Sequence, residues 1–440
     1  MPRIADWSTL DAAARRHRQA AARPHARALD PVLNAFVQID AAPSPLPSAG
    51  VLGGLPYAAK DMFQTPSHRP SGGFGDAGDL GIVGTSDLIE RLGGAGADLI
   101  GFTNMTELAY EPSGFNATHG RVKNPWNLDF VSGGSSSGSA AAVASGAVVA
   151  ALGSDTGGSL RIPAHACGVT AWKPTHGLVS ARGAMPLAPT LDTIGLLARS
   201  AGDIMPLAPF MAEPPAATSV AQAAVLGDVV AECHANIRRG VADTVAALAA
   251  CGIAIMHRPG LTALEAIDRH ALIVMQGESA RVHRARLDSN AISPVLRRRL
   301  AKGLEIADTA LAESVGVRAR LARDFNNHVL AGADIAVLPV MAILTPEAAE
   351  CDPGSERFSP RTLYALSRFT RFVNMLGVPA IALPAGFDDR GLPICVQIVG
   401  RAGSDLALLD LVRHVQSKTD WHARIPTAIA HLVPEPELRP

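Results

Sequence analysis

Two glycine- and serine-rich turns in the middle of this chain constrain its fold more than any other feature. The first, GGSSSGS, covers residues 133–139, and the second, DTGGS, covers 155–159. Between them, Ser137 or Ser139 can cap a helix over 140–145, and the following apolar run suits a buried strand over 147–152. A strand that carries a polar turn at its carboxyl end is a common active-site arrangement in α/β proteins. The segment therefore predicts an α/β fold with functional residues in the second turn.

The apolar patterns on either side of these turns indicate one folded unit. Short buried strands are predicted at 98–103 before the turns and at 335–339, 380–384 and 394–399 after them, whereas 203–330 has mainly helical periodicity. Because strand-forming segments flank the helical middle region on both sides, we expect one large α/β domain rather than a row of domains.

The boundaries of this domain follow from a change in composition. Residues 1–50 are predicted to form N-terminal helices and a linker, with the linker at the proline-rich stretch 41–50. Residues 51–440 are predicted to form the main domain, with a helical excursion at about 203–330.

The composition limits the class of protein. A chain of 440 residues that is 48% hydrophobic can bury a large core, and its net charge of −1 offers no basic surface for nucleic acid or anionic lipid. The 5 cysteines show no CxxC spacing, which favours a reducing compartment over a disulfide framework or a zinc site. No apolar run is long enough to span a bilayer, and the N-terminus lacks the apolar core of a secretory signal. We expect a cytoplasmic protein without nucleic-acid or membrane partners.

The first turn admits several interpretations. Most glycine–serine clusters are flexible loops or helix caps, and a phosphate-binding loop would need Gly-Lys-Ser/Thr or G-x-G-x-x-G, which are absent here. Residues 134–138 do match G-x-S-x-G, the nucleophile elbow of α/β-hydrolases, but 124–132 before them are loop-like instead of a strand. The histidines near the turns (His119, His165 and His176) are interpreted as packing or hydrogen-bonding residues. No metal-ligand motif is found, so no metal or other cofactor is expected.

A serine hydroxyl is a poor nucleophile unless a base lies beside it, and Lys60 is the candidate base. It follows the apolar run 55–59 and precedes Asp61. This neighbourhood favours a lysine that is drawn into the interior. Burial disfavours the charged ammonium and lowers the pKa of the amine, as catalysis by a base requires.

Short motifs follow one another in order between about residues 51 and 416. They are Gly54-Leu55-Pro56 through Lys60-Asp61, Thr103-Asn104-Met105-Thr106-Glu107, Asn124-Pro125-Trp126, the two turns with their following helices, Cys167-Gly168-Val169, Lys173-Pro174-Thr175, Leu191-Asp192-Thr193-Ile194-Gly195 and Gly391-Leu392-Pro393. Together they resemble the amidase signature family, the serine hydrolases that use a Ser-cisSer-Lys triad. The resemblance implies an α/β/α sandwich around a large mixed sheet.

The resemblance also implies a role for each matching residue of the triad. Ser159 matches the nucleophile, Ser135 the cis-serine and Lys60 the base. Neutral Lys60 would take the proton of Ser135, which would take that of Ser159, so that Ser159 becomes the attacking alkoxide.

Further residues surround this implied triad. Ser136 and Ser154 match hydroxyls next to the proton relay, and Asp155 and Arg161 are expected to pair and hold the second turn. An oxyanion hole needs backbone N–H groups that converge on one point. The groups expected to form it are those of Thr156, Gly157, Gly158 and Ser159.

The function implied by the resemblance is an amidase that hydrolyses a small carboxylic amide to an acid and ammonia or an amine through a serine acyl-enzyme. An alternative is the glutaminase (A-type) subunit of a tRNA-dependent amidotransferase, which shares the triad but works in a complex. A non-catalytic binding protein on the same fold is a third interpretation. The expected partner is a small-molecule amide substrate, and a homodimer is the family-level expectation.

Overall fold

The computed structural model describes residues 3–4, 7–41, 50–75, 78–213, 219–288, 292–432 and 438–439. The predicted linker at 41–50 lies outside these residues except for its two ends.

A mixed sheet runs through the molecule. In the described part of the chain it has 11 strands in the order β2-β4-β3-β5-β7-β6-β11-β12-β10-β8-β9, and β1 pairs with β13 in a separate ribbon. The β3–β4, β3–β5, β8–β9 and β8–β10 pairs are parallel and the other pairs are antiparallel. The strands are β1 (Arg3–Ile4), β2 (Phe36–Ile39), β3 (Pro56–Lys60), β4 (Asp98–Thr103), β5 (Ala150–Asp155), β6 (Thr170–Lys173), β7 (Thr193–Ala198), β8 (Gln222–Leu226), β9 (Ala254–Arg258), β10 (Ile335–Pro339), β11 (Ala380–Phe387), β12 (Pro393–Val399) and β13 (Leu438–Arg439).

Helices connect these strands. They are α1 (Ala12–Leu33), α2 (Asp87–Gly94), α3 (Ser137–Ala144), α4 (Arg161–Cys167), α5 (Ala201–Ile204), α6 (Ala208–Met211), α7 (Gly227–Ala231), α8 (Ala235–Ala250), α9 (Leu261–Val282), α10 (Pro294–Leu304), α11 (Asp308–Gly316), α12 (Arg318–Asp324), α13 (Ala348–Cys351), α14 (Pro360–Ala365), α15 (Arg371–Leu376) and α16 (Asp405–Gln416). Short 3₁₀ turns lie at Trp7–Thr9, Glu107–Ala109, Arg284–Asp288, Trp421–Ala423 and Thr427–Leu432, and a π-helical turn lies at Phe325–Leu330.

Alternate residues of the central strands face two different hydrophobic cores, as the twofold periodicity of a strand requires. In β3, Tyr57 and Ala59 belong to one core and Ala58 to the other; in β5, Leu152 and Ala151 divide in the same way. Helices α2, α8 and α16 cover the first face, and α1, α3 and α4 cover the second. The predicted α/β/α sandwich with a mixed central sheet is confirmed.

The middle region is less helical than its sequence pattern suggests. Strands β8 and β9 lie within 203–330 and extend the sheet, since β8 pairs in parallel with β10 and β9 pairs in parallel with β8. The β8 sequence, QAAVL, contains no aromatic residue and one β-branched residue, so local preference does not identify it as a strand. Its pairing partner comes from more than a hundred residues further along the chain. Helices α9 to α12 then form the helical part of this region.

The segment that carries the two turns is displaced from its predicted bounds. Helix α3 begins at Ser137, within the first turn, and the strand β5 ends at Asp155, so that Ser154 and Asp155 are strand residues. The predicted serine cap is wrong: Ser136 occupies the N-cap position without a side-chain cap. Its hydroxyl is used elsewhere, since it donates to the carbonyl of Ser154 at 3.2 Å.

None of the helices in the described ranges has the length and apolarity that a membrane span requires.

Candidate active site

The base predicted from the sequence lies at the end of a central strand. Lys60 is the last residue of β3, which pairs in parallel with β4 on one side and β5 on the other. Its side chain is completely buried. The Nζ atom lies 2.7 Å from the Ser135 hydroxyl, 2.9 Å from that of Ser154 and 3.2 Å from that of Ser136. Three hydroxyls therefore surround the amine.

Burial changes the acidity of this amine. Desolvation lowers the pKa of Lys60 to about 7, although the nearby carboxylates of Asp155 and Asp192 act in the opposite direction. An amine with this pKa is largely neutral at slightly alkaline pH, whereas an exposed lysine titrates near ~10.4. The direction of this shift agrees with the prediction made from the apolar residues that precede Lys60.

The first turn brings its serines to Lys60 through close backbone contacts. The Gly134–Ser135 peptide bond is cis. A side chain at Gly134 would approach the carbonyl of Glu111 to 2.6 Å, so glycine is required there. The backbone N–H of Ser136 donates to the carbonyl of Ser159 at 3.2 Å and joins the two turns directly.

The second turn has a backbone that only glycine accommodates. Gly158 has φ +128°, and a Cβ there would lie 2.3 Å from the Thr370 hydroxyl. Thr370 donates that hydroxyl to the carbonyl of Gly157 at 2.6 Å, which fixes the turn. The N–H of Gly158 donates to the Asp155 carboxylate at 2.8 Å. Within the described residues, the N–H groups of Gly157 and Ser159 have no protein acceptor.

A buried ion pair lies directly under this turn. Arg161 and Asp155 form a two-point contact, with Nε–Oδ2 at 3.0 Å and Nη2–Oδ1 at 2.9 Å. Both side chains are completely buried. The remaining guanidinium N–H groups donate to Gln397, Asn374 and the Thr370 carbonyl. The pairing predicted from the sequence is present, and it ties the second turn to β12 and α15.

One residue that sequence reasoning left without a role is Asp192. It is partly buried, and desolvation raises its pKa. Its carboxylate accepts the Thr156 hydroxyl at 2.6 Å and the N–H groups of Leu187 and Ala188. Asp192 therefore connects the second turn to the 187–188 loop. The motif Leu191-Asp192-Thr193-Ile194-Gly195 is the sequence signal that could have identified it.

A cavity opens beside the second turn, and Ser159 lines it. Lys60 and Ser135 are completely buried behind it. The structure thus brings Lys60, Ser135, Ser136 and Ser154 into one hydrogen-bonded cluster. Among the described residues no hydrogen bond joins the Ser159 hydroxyl to that cluster. The other lining residues are Ala109, Tyr110, Pro112, Thr156, Gly157, Ile162, Leu187, Leu272, Met275, Gln276, Arg299, Leu363, Tyr364, Ser367 and Arg371.

Seven of the 16 lining residues come from α9, α10, α14 and α15, which carry no functional motif in their sequences. The histidines near the turns do not line the cavity. His165 is buried and accepts the backbone N–H of Cys395, and burial lowers its pKa to about 4. His176 is 3.2 Å from the Pro189 carbonyl. No group of residues suited to hold a metal ion occurs in the described ranges.

Comparison with known proteins assigns the chain to a family. A sequence model of the amidase family matches residues 25–409. The chain belongs to the amidase family. Members of this family are hydrolases that act on carbon–nitrogen bonds, and the resemblance noted from the motifs is confirmed.

Relatives of the chain include the A-type subunit of the glutamyl-tRNA(Gln) amidotransferase of Ralstonia pickettii, which is 32% identical over 90% of this chain and 93% of its own length. Among solved structures, a crystal structure of an amidase is 29% identical with a TM-score of 0.80, over 91% of this chain and 95% of that one. The 6-aminohexanoate cyclic dimer hydrolase is 26% identical with a TM-score of 0.83, over 94% and 95%.

Proposed function

We propose that this protein is an amidase that hydrolyses a small carboxylic amide through an acyl-enzyme on Ser159. The observation that carries the proposal is the buried Lys60 amine, whose pKa is about 7 and which lies 2.7 Å from the Ser135 hydroxyl. A neutral amine next to a serine chain can accept a proton without help from a histidine. Ser159, at the cavity wall, presents the nucleophile to the substrate.

The proposed first half-reaction transfers one proton inward and forms one bond. Lys60 takes the Ser135 proton, Ser135 takes the Ser159 proton, and Ser159 Oγ attacks the amide carbonyl. The carbonyl oxygen becomes an oxyanion that accepts N–H groups of the second turn. When the carbon–nitrogen bond breaks, the proton returns from Lys60 through Ser135 to the leaving nitrogen, which departs as ammonia or an amine.

The second half-reaction repeats these steps with water. Water gives its proton to the relay and attacks the acyl carbon, and Ser159 leaves with a proton returned from Lys60. The Ser159–Ser135 hydrogen bond must form when substrate binds, since catalytic hydrogen bonds often tighten only in the substrate complex.

The N–H groups of Gly157 and Ser159 are the strongest oxyanion donors in this proposal, with Thr156 beside them. The N–H of Gly158, a donor expected from the sequence, is already hydrogen-bonded to Asp155. One such donor contributes typically ~2.7–4 kcal/mol to a transition state.

A screen of primary and secondary amides with detection of released ammonia or amine tests the proposal. The acyl-enzyme should appear by mass spectrometry as an adduct on the peptide that contains Ser159. The Ser159→Ala variant is the matched control and should form no adduct. An adduct on Ser136 would instead support the nucleophile elbow, and absence of hydrolysis with every amide would refute the proposal.

A second candidate is the A-type glutaminase subunit of a tRNA-dependent amidotransferase. It is favoured by relatives at 30–32% identity that bear the name of this subunit of the glutamyl-tRNA(Gln) amidotransferase. Co-purification with a small partner protein, and glutamine-dependent amidation of glutamyl-tRNA(Gln), would favour it over a stand-alone amidase. Active-site titration that finds no reactive serine would favour a non-catalytic binding protein.

The setting of the enzyme is part of the proposal. All 5 cysteines are free thiols, which supports a reducing, cytoplasmic location. The proposed reaction uses no cofactor, no membrane and no nucleic acid. Light scattering would test whether the protein forms the expected homodimer.

A further inference from the structure

The two N–H groups that the proposed oxyanion hole uses lie on either side of one peptide group. The N–H groups of Gly157 and Ser159 have no protein acceptor among the described residues, and both residues line the cavity. Gly158 between them does not line it and is buried, whereas its two neighbours are partly exposed. The peptide group that joins Gly157 to Gly158 therefore separates the two donors, and its orientation affects where both of them point.

The local chain does not fix this peptide group. It has glycine on both sides, and glycine restricts the backbone dihedral angles less than any other residue. Two side chains hold it instead. The N–H of Gly158 donates to the Asp155 carboxylate at 2.8 Å, and the carbonyl of Gly157 accepts the Thr370 hydroxyl at 2.6 Å. The N–H and C=O of a trans peptide point in opposite directions, so the two side chains hold the group from opposite sides.

The Thr370 hydroxyl serves the second turn rather than its own helix. Thr370 occupies the N-cap position of α15 without a side-chain cap, although a threonine at this position usually accepts an N–H group of the first helical turn. Its single hydroxyl proton has two carbonyls within reach, that of Gly157 at 2.6 Å and that of Ser367 at 3.1 Å. The shorter contact assigns the proton to Gly157.

Thr370 is itself held firmly. It is completely buried, and its carbonyl accepts a hydrogen bond from Arg161 Nη2 at 3.0 Å. The next residue, Arg371, covers the turn, since a Cβ at Gly157 would lie 3.2 Å from its Cγ. The Arg371 guanidinium makes a two-point contact with Asp268 of α9, at 2.7 and 2.8 Å. The start of α15 is therefore a fixed support for the second turn.

We infer that the Thr370 hydroxyl positions the oxyanion hole. By holding the Gly157 carbonyl, it keeps the N–H groups of Gly157 and Ser159 directed at the oxygen of the tetrahedral intermediate. Without the hydroxyl, the peptide group can rotate between its two glycines, and the donors lose their alignment. Thr370 does not line the cavity, so its loss should weaken the transition state and leave substrate binding in place. This inference rests on the proposed amidase activity and adds a positioning residue to it.

Three variants of Thr370 test the inference on any amide that the wild-type protein hydrolyses. Thr370→Val replaces the hydroxyl by a methyl group and should lower kcat roughly 10- to 100-fold with KM within about 3-fold, somewhat less than the loss of a whole oxyanion donor. Thr370→Ala should show the same loss, and Thr370→Ser, which keeps the hydroxyl, should stay within about 3-fold of the wild-type kcat. A wild-type kcat in Thr370→Val, or an equal loss in Thr370→Ser, would overturn the inference.

Thr244 offers a matched control in α8, away from the cavity. It is completely buried, and its hydroxyl donates to the Gly240 carbonyl at 2.8 Å. Thr244→Val removes the same kind of hydrogen bond and should leave kcat and KM unchanged. A loss of kcat in Thr244→Val as large as that in Thr370→Val would show that any buried hydroxyl has this effect and would refute a specific role for Thr370.

A labelling experiment separates this inference from the proposed function, because it needs no amide hydrolysis. With diisopropyl fluorophosphate, Ser159 Oγ bonds to phosphorus, fluoride leaves, the serine proton passes to the relay, and the phosphoryl oxygen takes the oxyanion position. Mass spectrometry should show labelling about 10-fold or more slower in Thr370→Val than in the wild-type protein, and equal rates would refute the positioning role. If this difference is found but no amide is hydrolysed, the amidase proposal fails and the role of Thr370 stands. If amides are hydrolysed and Thr370→Val matches the wild-type protein, the role of Thr370 fails alone. Absence of both labelling and hydrolysis would refute both.

Discussion

Two buried polar clusters lie side by side at the ends of β3 and β5, and they hold their charged groups in opposite ways. Lys60 is surrounded by hydroxyls, and within the described residues no carboxylate pairs with it at ion-pair distance. Asp155 meets the Arg161 guanidinium in a two-point contact and accepts two further backbone N–H groups. The side chains of Lys60 and Asp155 are both completely buried.

The two environments favour opposite charge states: the first favours the neutral amine of Lys60, and the second favours the charged carboxylate of Asp155. For Lys60, desolvation dominates and lowers the pKa to about 7. For Asp155, desolvation acts to raise the pKa, but the charge and hydrogen bond of Arg161, together with the Lys173 charge and a hydrogen bond from Asn374, outweigh it and lower the pKa to about 2. Hydroxyls can hydrogen-bond to an amine in either protonation state, whereas a counter-ion stabilises only the charged form of its partner. The first cluster is therefore able to exchange a proton near neutral pH, and the second is a permanent structural clamp.

The largest expected effect comes from removing the nucleophile that the first cluster would activate. Ser159→Ala should reduce kcat by on the order of 10⁴- to 10⁶-fold, the range found when a triad nucleophile is lost. Ser136→Ala should cost much less, because its hydroxyl lies behind the cavity. Both variants should melt close to the wild-type temperature. If Ser136→Ala were inactive and Ser159→Ala active, the assignment of the nucleophile would be reversed.

The next largest effect concerns the base and its pH dependence. Only neutral Lys60 accepts a proton, and its neutral fraction increases with pH, so kcat/KM should rise as the pH passes about 7 and level off above it. Lys60→Ala should lose most of the rate together with this rise. A profile measured on a non-ionising amide gives the pKa of the free enzyme.

His165 and His176 provide the control for the assignment of Lys60 as the base. Burial lowers the pKa of His165 to about 4, and it also lowers that of His176. Neither should cause an inflection near pH 7, and His165→Gln and His176→Gln should keep the alkaline rise. Should either replacement abolish it while Lys60→Ala retains it, a Ser-His mechanism would replace the lysine relay.

Disrupting the Asp155–Arg161 pair should affect the stability of the protein more than the rate of the reaction. Asp155→Asn leaves Arg161 buried without its counter-charge, which typically costs about 3–5 kcal/mol of unfolding free energy. The control is Asp410→Asn, which breaks a half-exposed pair with Arg413 at 2.7 Å and should cost less than about 1 kcal/mol. Urea denaturation measures both. Equal losses in the two variants would show that the buried pair is no special clamp.

The first cluster is easier to predict from the sequence than the cavity is, and the reason is physical. Ser135, Ser159 and Lys60 lie in short motifs, so that a pattern of a few neighbouring residues identifies them. The apolar run before Lys60 also predicts its burial. These features depend on neighbours in sequence and are visible without the fold.

Arg299 and Gln276 could not be found in this way. They lie on two ordinary helices, and their side chains share a cavity with Ser159 only because α9 and α10 pack closely at Gly303. Strand β8 was missed for a similar reason, since it is defined by pairing with β10 and β9. Asp192 was part of a recognised motif, but its hydrogen bond to Thr156 depends on the approach of two loops.

The smallest predicted effect tests how the hydroxyl cluster sets the acidity of Lys60. Ser154 accepts a hydrogen bond from Nζ at 2.9 Å, and such a bond favours the ammonium over the neutral amine. Ser154→Ala should therefore lower the pKa of Lys60 further and move the alkaline rise of kcat/KM to lower pH by less than about one unit. The reaction should slow only several-fold, since Ser135 keeps its contact with Nζ. Ser145→Ala, which removes a buried hydroxyl bonded to the Ala142 carbonyl, is the matched control and should leave the profile in place. A shift of the rise to higher pH in Ser154→Ala would mean that Ser154 donates to a neutral amine, and the cluster would then hold Lys60 as a base in the resting protein.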